Sequence, residues 1–146
     1  MSSRVSAILL AAGKSRRMGC CKQLLPLGNG TVIGQCLTTL IKAGINEIVV
    51  VVSPDGDDVA GAAGKYPVAV VINHLDHGDM ASSVRSGRNA LSPNCDGVVV
   101  TLCDQPLVRS STLVKLMTAH RQAPGSILIP CHDGRRGHPL LVPRTL

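Results

Sequence analysis

Between Gly13 and Lys22 the chain reads GKSRRMGCCK, which puts two glycines, a serine and four basic side chains (Lys14, Arg16, Arg17 and Lys22) into one short stretch. A turn of small residues exposes backbone N–H groups that can point at phosphate oxygens, and flanking cations supply counter-charge. Residues 1–46 carry six basic side chains and no acid, four of the six between 14 and 22, whereas residues 47–146 carry nine of each sign. An excess centred on one loop suits a small polyanion. The stretch is not a Walker A loop, because Ile8 stands where that motif needs its first glycine. It is not a GxGxxG dinucleotide loop either, since only Gly13 and Gly19 are present. A tight turn with solvated basic side chains would use the same letters. The chain has no Phe, no Trp and only Tyr66 as a ring for stacking, which argues against binding of RNA or single-stranded DNA.

Other polar residues follow apolar runs. Asp104 ends the run GVVVTLCD and is a candidate Mg²⁺ ligand, since that ion needs only one or two carboxylates beside nucleotide phosphates. A turn or cap ahead of Pro106 would also use an Asp there. Asn73 and Ser83 could hydrogen-bond a base or ribose, or serve as a strand-end turn and a first-turn helix residue. Arg136, Gly137 and His138 could meet a phosphorylated substrate, although Gly134-Arg-Arg-Gly137 also reads as a hairpin turn. His74, His77, Cys131 and His132 lack zinc-ligand spacing and read as loop residues. Cys20 and Cys21 carry no assignable role. The six cysteines show neither paired CxxC motifs nor a secreted-domain framework, which predicts buried free thiols.

These residues need a scaffold. Val5–Ala12, Glu47–Ser53, Val68–Asn73 and Gly97–Asp104 are short, continuous and rich in β-branched residues, as in strands of a parallel sheet covered on both faces. Between them the spacing predicts a helix capped by Thr31, with Val32, Ile33, Cys36, Leu37, Leu40 and Ile41 on one face and Gly44 as its stop. A second helix is expected over Ser82–Leu91. A third starts at Ser110, turns Leu113, Leu116 and Met117 inward and ends with His120 and Arg121, where cations suit the helix dipole. Ser126–Cys131 and His138–Val142 read as further short strands. The expectation is one α/β domain over residues 1–146, a Rossmann-like, doubly wound, mostly parallel sheet with ligands at the carboxyl ends of its strands. A chain of this length buries about 70% of its unfolded surface and needs no disulfide or structural metal. The longest aliphatic run, Ile48–Val52, is far too short to span a bilayer. The start resembles a signal peptide only faintly, because Lys14, Arg16 and Arg17 follow the apolar run at once, and a cytoplasmic location is expected.

The run LAAGKSRRMGCCKQLLPL (Leu10–Leu27) resembles the signature loop of the nucleotidyltransferase superfamily that includes the molybdenum cofactor cytidylyltransferases and guanylyltransferases. GDMASSVRSG (Gly78–Gly87), LCDQP (Leu102–Pro106) and RGHPL (Arg136–Leu140) resemble segments of the cytidylyltransferase branch, in the expected order. Guanylyltransferases of this kind typically carry a second glycine where Ala12 stands. The resemblance therefore implies a Mg²⁺-dependent transfer of CMP from CTP to the terminal phosphate of molybdopterin, with release of pyrophosphate. It implies nucleotide binding by Leu10, Ala11, Ala12, Gly13, Ser15, Lys22, Asn73 and Ser83, and charge neutralisation at the reacting phosphate by Arg17 and Lys22. Asp104 would hold the metal, and Arg136, Gly137 and His138 the cofactor substrate. A recipient molybdoenzyme is an implied partner, and neither nucleic acid nor membrane is. Family members usually continue for several more strands and helices and carry a second metal-binding Asp. A chain ending at Leu146 is thus expected to bind CTP yet transfer poorly, or to act as a non-catalytic carrier that delivers nucleotide or cofactor. Related transfer from GTP, or to a sugar phosphate, is the enzymatic alternative.

Overall fold

The computed structural model describes residues 4–12, 22–74, 79–132 and 134–145. Strand β1 (Val5–Leu10) is followed by a 3-10 turn at Lys22–Leu24, a two-strand ribbon of β2 (Pro26–Leu27) and β3 (Gly30–Thr31), and helix α1 (Val32–Lys42). Then come β4 (Ile48–Val52), α2 (Asp57–Ala63), β5 (Ala69–Ile72), α3 (Met80–Ala90), β6 (Gly97–Leu102) and α4 (Ser110–Gln122). A hairpin of β7 (Cys131–His132) and β8 (Arg135–Arg136) precedes β9 (Leu140–Pro143). The main sheet has the order β5-β4-β1-β6-β9, parallel except for the antiparallel β6–β9 pair, as expected of a mostly parallel α/β domain.

Alternation along the strands splits the core into two layers. Ala7, Leu9, Val50, Val52 and Val99 face Leu37 and Leu40 of α1, Val59 of α2 and Leu113 of α4. Ile8, Val49, Val51, Val98 and Val100 face the other side, where Val84 of α3 and the following Leu91 pack. Among the described residues α3 covers that second face by lying close to it. A Cβ on Gly87 would stand 2.7 Å from Ile8 Cγ2 and 3.1 Å from Val51 Cγ2.

Thr31 caps α1 as expected, its Oγ1 accepting from Gly34 N at 3.1 Å, and Gly44 (φ +92°) lets the chain leave the helix. Several expectations need correction. The strands stop short of Ala12, Ser53, Asn73 and Asp104, because their last residues turn into the loops of the carboxyl edge. Ala69 and Ile72 are exposed, since β5 is an edge strand rather than one covered on both faces. The second helix begins at Met80, before Ser82, because Asp79 caps it. Helix α2 is an addition, with Asp57 and Asp58 in its first turn. Ser126–Cys131 forms no continuous strand: Leu128 pairs with Leu141, and Pro130, which has no N–H, interrupts the ladder. β9 starts at Leu140, after Pro139, for the same reason. His120 stands in the last turn of α4 but is fully buried, with Nε2 3.3 Å from Asp96 Oδ1. Its ring lies over Gly97, where a Cβ would meet Nε2 at 2.8 Å. Cys36, Cys95 and Cys103 are buried, but Cys131 is exposed on the hairpin. Among the described residues, no helix is long and apolar enough to cross a membrane.

Candidate functional site

The central strand β1 runs out between β4 and β6, and its last peptides are tied to both. Leu10 O accepts from Cys103 N at 3.1 Å, and Ala11 N donates to Val51 O at 2.8 Å. Gln23 Nε2 donates to Ala11 O at 3.1 Å, which brings the neighbouring Lys22 back to the end of β1. Lys22 itself is exposed. Leu10 and Ala12 are half-buried and Ala11 is buried, so the backbone of this segment forms part of the floor of the carboxyl edge. Gly13, Ser15, Arg17, Cys20, Cys21 and His77 lie outside the described residues.

Asn73 follows β5, held by its N–H to Val52 O at 2.9 Å. Its Nδ2 donates to Ser82 Oγ at 2.8 Å and Ser83 Oγ at 3.1 Å, which ties the strand end to the start of α3. All three side chains are buried. Asp79 completes the joint, with Oδ1 accepting from Ser82 N at 2.8 Å and its carbonyl accepting from Ser83 N at 3.1 Å. The Ser82 N–H holds the exposed Asp79 carboxyl below the usual carboxylate range.

Asp104 follows β6 and is exposed at the same edge. Among the described residues no three His, Cys, Asp or Glu side chains come together to hold a metal. A single exposed carboxylate fits a hard cation that keeps waters and takes phosphate oxygens, and does not fit a closed zinc site. Behind it, the Cys36 thiol donates to Cys103 O at 3.6 Å. The Cys103 side chain holds the Cys36 thiol below its ordinary range, while burial and the Asp104 charge push the other way.

The hairpin expected around Gly134 is present: Cys131 pairs with Arg136 and His132 with Arg135, and Gly134 has φ +78°. The letters of Gly134–Gly137 therefore serve the turn, and they also leave Arg135 and Arg136 exposed. Gly137 N donates to Pro130 O at 3.1 Å. Leu140 stands opposite Val100 on an antiparallel strand, so the half-buried His138 lies toward the carboxyl end of β6, the end Asp104 extends. A groove of about 660 Å³ opens at the opposite, amino edge, where Arg4, Ser6, Glu47, Ser92 and Arg121 line it. Among the described residues none of the expected site residues lines it, and Glu47 there accepts from Ser6 Oγ at 2.6 Å and Ser92 N at 3.0 Å.

Two residues of the carboxyl edge escape a reading of motifs, Gln23 and Asp79. A lone amide ahead of Leu24-Leu25-Pro26-Leu27 is the signal for the first, and an Asp three residues before Ser82 is the signal for the second.

A family model described as the MobA-like NTP transferase domain matches residues 7–146. The chain is similar to the nicotine blue oxidoreductase of Paenarthrobacter nicotinovorans, with 32% identity over 146 residues, covering 94% of this chain and 70% of that protein. It is similar to the molybdenum cofactor guanylyltransferase of Mesorhizobium japonicum, with 33% identity over 141 residues, covering 95% of this chain and 66% of that one. It is also 33% identical over 126 residues to the bifunctional protein GlmU of Clavibacter sepedonicus, covering 84% of this chain and 26% of that protein. The chain thus spans between about a quarter and seven-tenths of these curated relatives. Among solved structures it resembles Rv0371c from Mycobacterium tuberculosis H37Rv, with TM-score 0.88 and 28% identity over 99% of this chain and 74% of that one. A manganese complex of Rv0371c aligns with TM-score 0.83 and 27% identity over 99% and 73%. A nucleotidyl transferase from Methanothermobacter thermautotroptrophicus aligns with TM-score 0.84 and 27% identity over 97% and 72%.

Proposed function

Because the chain belongs to the MobA-like NTP transferase domain family, which is of the nucleotidyltransferase class, we propose that it transfers CMP from CTP to the terminal phosphate of molybdopterin. The observation that carries this reading is the tie between chain segments at the carboxyl edge. The Cys103–Leu10 and Gln23–Ala11 bonds gather the β1 exit, the turn of Lys22 and the loop of Asp104, the last about ninety residues further along the chain.

In this reading Leu10, Ala11 and Ala12 floor the base, and Gly13 and Ser15 hold the triphosphate. Asn73 and Ser83 support the base and ribose side, and Arg136, Gly137 and His138 meet the acceptor. The acceptor phosphate oxygen attacks the α-phosphorus of CTP. A P–O bond forms there, the bond to the bridging oxygen breaks, and pyrophosphate leaves with the electron pair. The nucleophile is already an anion, so no general base is needed. Lys22 and Arg17 neutralise charge that develops on the non-bridging oxygens, and such preorganised cations are usually the largest source of rate in phosphoryl chemistry. Asp104 would hold Mg²⁺, which when bound supplies further charge neutralisation on the nucleotide phosphates. The manganese complex of a structural relative supports a divalent ion in this fold. A cytoplasmic setting and hand-over to a recipient molybdoenzyme accompany this reading.

A guanylyltransferase among the relatives favours GTP as the competing nucleotide. The similarity to a protein named as an oxidoreductase favours a second class. The test is pyrophosphate release from CTP and, separately, from GTP with molybdopterin, with and without Mg²⁺. Release from CTP alone, lost without the ion, is expected. Release from GTP alone would move the assignment to guanylyl transfer. Binding of CTP without release would leave a carrier, and dye-coupled reduction without release would mark an oxidoreductase.

A further inference from the structure

Ala12 stands where the resemblance separates cytidylyl from guanylyl transfer; its methyl group can exclude a larger base but makes no hydrogen bond, so any polar contact with the base at this point comes from the backbone. The direction of that backbone is set from outside the strand. In a parallel ladder the Ala11 carbonyl would take its next donor from the strand that receives the Ala11 N–H. That strand is β4, which ends at Val52. The Gln23 side chain reaches in from the 3-10 turn instead and donates to Ala11 O at 3.1 Å. Gln23 is only 8% exposed, and its turn packs against α1 and α2, so the amide is held against the carbonyl rather than swinging in solvent.

The peptide between Ala11 and Ala12 is planar, and in its trans form the Ala12 N–H points opposite to the Ala11 C=O. We infer that Gln23 is a positioning residue for nucleotide discrimination, its amide fixing the Ala11 carbonyl and thereby aiming the Ala12 N–H away from Gln23. This rests on the reading of Ala12 as facing the base. Gln23 also directly follows Lys22. One short turn therefore sets both the backbone that meets the base and the cation that meets the phosphate, and loosening the amide disturbs binding before it disturbs the chemical step.

The test compares the unmodified protein with Gln23→Met, which keeps the length of the side chain and removes its amide. Binding of CTP and of GTP with Mg²⁺ is measured by calorimetry, and KM and kcat by pyrophosphate release. Losing the buried bond to the Ala11 carbonyl is expected to narrow the ratio of the two dissociation constants about tenfold. KM for the favoured nucleotide should rise by a similar factor while kcat changes much less, whereas Lys22→Ala should lower kcat and leave the ratio intact. An unchanged ratio in folded Gln23→Met, where the unmodified protein discriminates, overturns the role of Gln23 alone. Absence of nucleotide binding by the unmodified protein overturns the reading of the site, and this inference with it. If Gln23→Met does not fold, proton exchange of the Gln23 side-chain NH₂ in the unmodified protein decides: slow exchange supports the held amide, and exchange at the solvent rate overturns it.

Discussion

Lys22 sits in solvent beside a residue that is buried, and that contrast separates chemistry from support. An exposed lysine contributes little to packing, so Lys22→Ala should keep its melting temperature. If Lys22 neutralises the reacting phosphate, kcat should fall by about 10²–10³, the usual cost of one transition-state counter-charge. A rate within a few fold of the unmodified protein would remove Lys22 from the mechanism. Residue type and position draw attention to Lys22 as the last of four cations in a Gly-bearing loop, and to Asp104 as a carboxylate that ends an apolar run. Gln23 was not singled out, because a glutamine has no pattern that tells which carbonyl it will meet. Asn73 and Ser83 stood between two readings, and the structure adds a contact between them that supports the joint of β5 and α3.

At the scale of elements, α3 carries two testable devices. Gly87 lets the helix approach β1 and β4, and Gly87→Ala would put a methyl 2.7 Å from Ile8 Cγ2. The helix must then lift, which should destabilise the fold by about 1–3 kcal/mol in denaturant titration, as overpacking does. Asp79 caps the same helix, and its carboxyl is depressed by the Ser82 N–H. A depressed folded pKa means that its stabilisation is present above the unfolded value, near about pH 4, and is lost as pH falls through the lower folded value. Asp79→Ala should therefore lower the melting temperature at pH 7, and the difference should close on acidification below about pH 4. A gap that stays constant down that range would show that the cap is not the charged form. The residues 82–91 announced a helix through their spacing, but its true start depended on the Asp79 side chain turning back onto Ser82.

Over the whole molecule the formal charge is +6, and residues 1–46 hold the excess. A confined cationic loop attracts a polyphosphate over distances that salt shortens, from about 10 Å at 0.1 M to about 3 Å at 1 M. Raising salt across that range should increase KM for the nucleotide much more than it lowers kcat, and a KM that does not move would argue against the loop as the phosphate site. The sheet itself was foreseeable, because β-branched runs such as IVVVV and a capped apolar stripe from Thr31 depend on neighbours a few residues away, and those neighbours are written side by side. So too was the placing of polar motifs after strands, which a parallel sheet converts into one common edge. The folded chain alone decided that β9 returns antiparallel beside β6, that His120 is buried over Gly97, and that Gln23 holds the end of β1. Each of these is a contact between residues distant in sequence. Its energy depends on where two backbones pass each other, and no local spacing of residue types encodes that.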